Sequence, residues 1–129
     1  MTNAKRVLII GLKPKHVDFS LPEFANMPGL DAQTIQAALD ADVAKLKALG
    51  YDPEMCLTDL GSTAGNVVAE YLSRQSFDCI LIGAGLRIIS AHFLLFEQRL
   101  NVVHEQAPNA RICFNTKPSD TAEAVQRWV

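Results

Sequence analysis

The sequence predicts a single three-layer αβα domain over residues 1–129, with a four-stranded parallel sheet between two layers of helices. Two observations lead to that class. The runs Arg6-Val7-Leu8-Ile9-Ile10-Gly11 and Phe77-Asp78-Cys79-Ile80-Leu81-Ile82-Gly83 are continuously apolar and end in glycine, the signature of strands buried on both faces. Between and after them, apolar residues recur at three- and four-residue steps, so strands alternate with helices and must pair in parallel through helical crossovers. A chain of 129 residues, 49% hydrophobic and 20% charged, suits one core with a solvated surface.

The elements follow in order. Residues 6–11 form the first strand. The first helix starts at a capping Asp31, carries Ile35, Leu39, Val43, Leu46 and Leu49 on one side, and ends at Gly50 in a left-handed turn. Residues 54–60, with Met55, Cys56, Leu57 and Leu60, form a weaker second strand. A second helix, capped by Ser62 or Thr63, buries Val68, Tyr71 and Leu72 and ends near Arg74. Residues 77–83 form the third strand. A long helix over about 90–106 places Phe93, Phe96, Leu100 and Val103 on one face, with Pro108 beyond its end. Residues 110–114 form the fourth strand. Ser119 or Asp120 caps a last helix over 121–129, with Ala124, Val125 and Trp128 directed inward. The two most continuously apolar strands take the interior, which gives the order 2-1-3-4 and leaves the fourth strand at an edge.

Twelve basic against 14 acidic residues, a net charge of -2 and no block of either sign provide no field for nucleic acid or an anionic membrane. The apolar run near the start is too short for a signal peptide core or a membrane span, which predicts a cytoplasmic protein. Cys56, Cys79 and Cys113 stand singly in strand segments and read as small core hydrophobes of a reduced compartment. No metal site and no cofactor is expected from the spacing of the potential ligands.

The strand order is that of flavodoxin-like winding. Gly50-Tyr51-Asp52, the segment Gln75 through Ile82, Ala107-Pro108-Asn109-Ala110-Arg111-Ile112 and Lys117-Pro118 together resemble response-regulator receiver domains. That resemblance implies a regulatory module with a metal-binding acidic pair after the first strand and a phosphoacceptor Asp after the third. Here those places hold Gly11-Leu12-Lys13 and Gly83, so the chain resembles a receiver without its phosphoacceptor site. Gly61-Ser62-Thr63-Ala64-Gly65-Asn66 is similar to the phosphate loop of flavodoxins, which implies an anion cradle, although that family carries the loop after its first strand. Helix capping accounts for the same residues.

Open α/β sheets bind ligands beyond the carboxyl ends of their strands, where the winding reverses. That rule selects Gly11 and Lys13, Gly83, Gly85 and Arg87, and Lys117. Together with Gly61, Ser62, Thr63 and Gly65 they form the candidate site for a small anionic or phosphorylated ligand; turn glycines and surface cations are the plain alternative. Residues 12–30, with Pro14, Pro22 and Pro28, are far longer than the usual βα connection. They read as a lid or a hydrophobic cover through Phe19, Leu21 and Phe24; His16, Asp18 and Glu23 keep an enzymatic role open. His92 and His104 read as surface or capping residues. Between Leu86 and Phe96, the apolar Leu86, Ile88, Ile89, Phe93, Leu94, Leu95 and Phe96 exceed what one helix face buries, which predicts a homodimer through this segment. Three functions remain open: a regulatory or interaction module, favoured by that surface, a ligand-binding protein, and an enzyme using the long loop.

Overall fold

The computed structural model describes residues 4–25, 27, 29–60 and 64–129. Its sheet has the order β2-β1-β3-β4, formed by β1 (Arg6–Leu12), β2 (Asp52–Thr58), β3 (Cys79–Ile82) and β4 (Arg111–Phe114). All three pairings are parallel, with Ile10 opposite Cys56 and Ile82, and Leu81 opposite Cys113. The expected sheet and strand order are therefore present, and the fold is compatible with flavodoxin-like winding.

Alternation along the strands divides the core in two. Leu8, Ile10, Leu12, Cys56, Ile80 and Ile82 face Val68 and Leu72 of α2 (Ala64–Arg74) and Leu86 of α3 (Ala84–Arg87). Val103 of α4 (Phe93–Gln106) closes the same cluster. Val7, Ile9, Cys79, Leu81 and Cys113 face Leu46 of α1 (Ala32–Ala48) and Ala122, Ala124 and Val125 of α5 (Thr121–Gln126). β1 and β3 are buried on both faces because each has a strand on either side and helices above and below.

Local signals place α1 as expected. The Asp31 carboxylate accepts from Thr34 N at 2.8 Å and the Thr34 hydroxyl accepts from Asp31 N at 2.9 Å, a reciprocal cap. Gly50, at φ 94°, makes the left-handed exit.

Four details differ from the sequence expectation. β2 runs over Asp52–Thr58 rather than 54–60, since pairing with β1 fixes its register; it is an edge strand, where Pro53 is tolerated. The segment after β3 is the short helix α3 rather than a loop. Ser90–His92 is a separate 3-10 turn, so the long helix starts at Phe93. The last helix stops at Gln126 and Trp128 is half exposed, so it does not pack inward as expected.

Candidate functional site

β1, β3 and β4 all end at one edge of the sheet, and the residues leaving them meet the long β1–α1 connection there. Local contacts fix the described residues of that connection. Pro14–His16 and Pro22–Phe24 form 3-10 turns, and Phe19 stacks on Phe24 with ring centroids 5.3 Å apart. The Ser20 hydroxyl and N–H donate to the Asp18 carboxylate at 2.6 and 3.0 Å and hold its pKa below the usual value. Its foot is tied to the sheet by Lys13 N donating to Thr58 O at 2.9 Å. In its middle, Glu23 Oε2 accepts from Ser90 N at 3.1 Å and Ser90 Oγ at 3.0 Å, fastening the connection across the start of α4 and lowering the Glu23 pKa. The long segment is thus a strapped cover.

Beneath the cover lies a cavity of about 400 Å³. Its walls are apolar: Leu12 and Leu57 from the strands, Val17, Phe24, Met27 and Leu30 from the cover, Ile35 and Leu39 from α1, and Leu86, Ile88 and Ile89 beyond β3. Its polar contributions come from Thr34, His92, Asn115, Thr116 and Lys117 and from the backbone around Gly11 and Gly83-Ala84-Gly85. Gly83 eases a close approach: a Cβ there would lie 3.3 Å from the Ile10 carbonyl that accepts its N–H, a contact tight enough that the neighbouring backbone would have to give by a few tenths of an ångström.

A buried relay fixes the polar corner. Ala84 N donates to Asn115 Oδ1 at 2.8 Å, Asn115 Nδ2 to Thr121 Oγ1 at 2.9 Å, and the Thr121 hydroxyl to Asp42 Oδ2 at 2.7 Å. Burial raises the Asp42 pKa and the Thr121 bond only partly offsets it. Since the carboxylate can only accept, every donor direction in the relay is determined, and Asn115 acts as a positioning residue for the β3–α3 turn.

The expected site residues separate in three dimensions. Gly11, Gly83, Gly85 and Lys117 line the cavity, whereas Lys13 lines a distinct open groove with Lys15, Gln33 and Gln36. Arg87 is spent on structure: its Nη2 donates to Asn115 O at 2.6 Å and its guanidinium lies 5.9 Å from the Phe114 ring centroid. Gly61, Ser62 and Thr63 lie outside the described residues, and Gly65 sits in the first turn of α2. The lysines and arginine expected to converge on an anion are therefore reduced to Lys117. Leu86 and Ile89 are 0% and 1% exposed, so they belong to the core and cavity wall and cannot form an interface; Leu95 and Phe96 are half-buried against the core. Ile88, Phe93 and Leu94 remain exposed.

Sequence reasoning missed two buried cations or potential cations. His92 is 7% exposed and lines the cavity; its spacing of three residues from the apolar Ile89, one helical turn earlier, is the signal that could have placed it inward. Arg99 of α4 is 0% exposed and clamps the end of β2, donating to Thr58 Oγ1 at 3.1 Å, Asp59 O at 3.2 Å and Gln98 Oε1 at 2.6 Å. Burial lowers its pKa despite the nearby Asp59 charge.

The three thiols are buried. Cys79 and Cys113 lie with their sulfurs 3.4 Å apart, in a hydrogen-bonded contact that favours ionisation of Cys79 and opposes that of Cys113. They occupy diagonal rather than opposite positions, because Cys79 pairs with Arg111 and Cys113 with Leu81. Among the described residues no group of three or more His, Cys, Asp or Glu side chains could hold a metal ion, and no helix is long and apolar enough to cross a membrane. Neither a scan of protein-family models nor a search of curated proteins returned a match to the chain.

Proposed function

We propose that the chain is a binding module for a small molecule with a mainly apolar body, held under the 12–30 cover at the carboxyl end of the sheet. The cavity carries this reading: about 400 Å³, walled mainly by aliphatic and aromatic side chains, with a few polar groups among its lining. That combination, at the point where the winding reverses, is the usual form of a small-molecule site, whose volumes run from roughly 300 to 1,000 Å³. Binding is favoured over catalysis because the cavity's hydroxyls are committed elsewhere, Thr34 to the Asp31 carbonyl and Thr116 to Asp120, rather than activated by His92. The expected phosphorylated ligand gives way to an apolar-bodied one, since Lys13 and Arg87 do not reach the cavity.

Titration with the neutral fluorophore N-phenyl-1-naphthylamine tests the reading. Saturable 1:1 enhancement in the micromolar range is expected, together with a rise in melting temperature by mass action. Ile35→Trp, which fills the cavity from α1, should abolish both while the chain stays folded. No saturable binding by the wild type would refute the proposal.

A second reading keeps the receiver-like regulatory module, acting as a homodimer. It rests on Ile88 at the end of α3 and Phe93 and Leu94 at the start of α4, exposed by 39%, 58% and 72%. Sedimentation equilibrium at micromolar concentration decides it: a dimer split by Leu94→Glu without unfolding supports it, and a 14.1 kDa monomer overturns it.

A further inference from the structure

We propose that the ligand of this cavity is a compact monocarboxylate, with its alkyl or aryl body between Val17, Phe24 and Leu86 and its carboxylate held by His92 and Lys117. This rests on the binding reading above and adds the ligand's charge and class. The first support is charge. Among the described residues, the titratable side chains lining the cavity are His92 and Lys117, both basic, and none is a carboxylate. The two acids nearby already have donors and interact only weakly with these bases: Glu23 is engaged first by Ser90 and only last by the His92 charge, and Asp120 by the N–H groups of Thr116 and Lys117 and the Thr116 hydroxyl ahead of the Lys117 charge.

The second support is an open polar edge. The His92 side chain is more than nine-tenths buried and lines the cavity, among the described residues its ring forms no hydrogen bond to a protein group, and its nitrogens are not among the buried unpartnered atoms, so they stay accessible to an acceptor that enters with a ligand. The third support is the match of donors to oxygens. One imidazole N–H and one ammonium at the rim suit the two oxygens of a carboxylate, whereas the three oxygens and higher charge of a phosphate monoester call for a richer donor set. The apolar walls exclude a nucleotide or sugar phosphate as the body.

Displacement of N-phenyl-1-naphthylamine by octanoate, octanol, octylamine and octyl phosphate at neutral pH provides the test. Octanoate should bind about tenfold more tightly than octanol, the gain expected of hydrogen bonds to a charged group, and more tightly than octylamine or octyl phosphate. From butanoate to octanoate, affinity should rise about fourfold per methylene until the cavity is full. Lys117→Met, and separately His92→Leu, should lower octanoate towards octanol while leaving the neutral fluorophore bound. If His92→Leu does not fold, His92→Phe tests the same ring position. Equal binding of octanoate and octanol by a wild type that binds the fluorophore overturns the carboxylate assignment and leaves the cavity reading intact. Preference for octyl phosphate overturns it in favour of a phosphate head, and failure of the fluorophore itself removes the cavity reading on which it rests.

Discussion

Thr121→Val removes the central hydroxyl of the relay that joins α1, α5 and the β3–α3 turn. It leaves Asn115 Nδ2 without its acceptor and Asp42 Oδ2 without its donor, in positions that are 5% exposed for both Asn115 and Asp42. Each of the two stranded groups costs about 1–3 kcal/mol, so the variant should lose roughly 2–6 kcal/mol at pH 7. A loss of 3 kcal/mol corresponds to about 12 °C in melting temperature for a domain of this size. Urea unfolding followed by circular dichroism reads the loss directly, as a lower midpoint at unchanged slope. The pH dependence adds a second check. The folded Asp42 pKa is raised above 3.8, so its charge opposes folding increasingly as pH rises through that raised value. Without the Thr121 bond, which stabilises the charged form, the folded pKa rises further. The difference between wild type and variant should therefore be greatest at pH 7 and shrink as Asp42 becomes protonated towards pH 4. A loss below about 1 kcal/mol at pH 7, or one that does not diminish on acidification, would refute the relay as the element that fixes this corner.

Two further outcomes test the buried cation and the thiols. Arg99→Met keeps an apolar chain of similar length but takes the donor from Thr58 Oγ1 and the Asp59 carbonyl and should cost about 1–3 kcal/mol, while Arg99→Ala, which also leaves a void, should cost about 3–5 kcal/mol in urea unfolding. All three thiols should be silent to Ellman's reagent at pH 8 and react on unfolding, because burial pushes Cys56 up to about 11 and encloses the Cys79–Cys113 pair. Diamide should produce no intramolecular disulfide in the native protein, since diagonal residues of neighbouring strands lie about 7–8 Å apart at Cα, beyond the usual bridging span; a mass loss of two hydrogens mapped to this pair would show the sheet to be looser than described.

The sequence alone determined the elements whose formation is decided within a dozen residues. The uninterrupted runs at Val7-Leu8-Ile9-Ile10 and Cys79-Ile80-Leu81-Ile82 can be satisfied only by burial on both faces, so the interior strands and hence the order of the sheet were legible. Asp31 and Gly50 marked the ends of α1 because caps act through the nearest backbone groups. The site was legible only as a location. Gly11, Gly83, Gly85 and Lys117 follow from the rule that places ligands at the carboxyl ends of parallel strands, and they do line the cavity. Which neighbours join them depends on the path of the 12–30 cover and on the rotation of α3 and α4, set by contacts between residues dozens of positions apart. Arg87 turned to the Asn115 carbonyl, Lys13 came to line a separate groove beside α1, and His92, unremarkable in the sequence, became a buried ring lining the cavity. Leu86 and Ile89 counted as surplus when a single helix face was the measure, but the short α3 turn directs both into the core, and only the tertiary structure could show that the same apolar run is divided between cavity wall, core and surface.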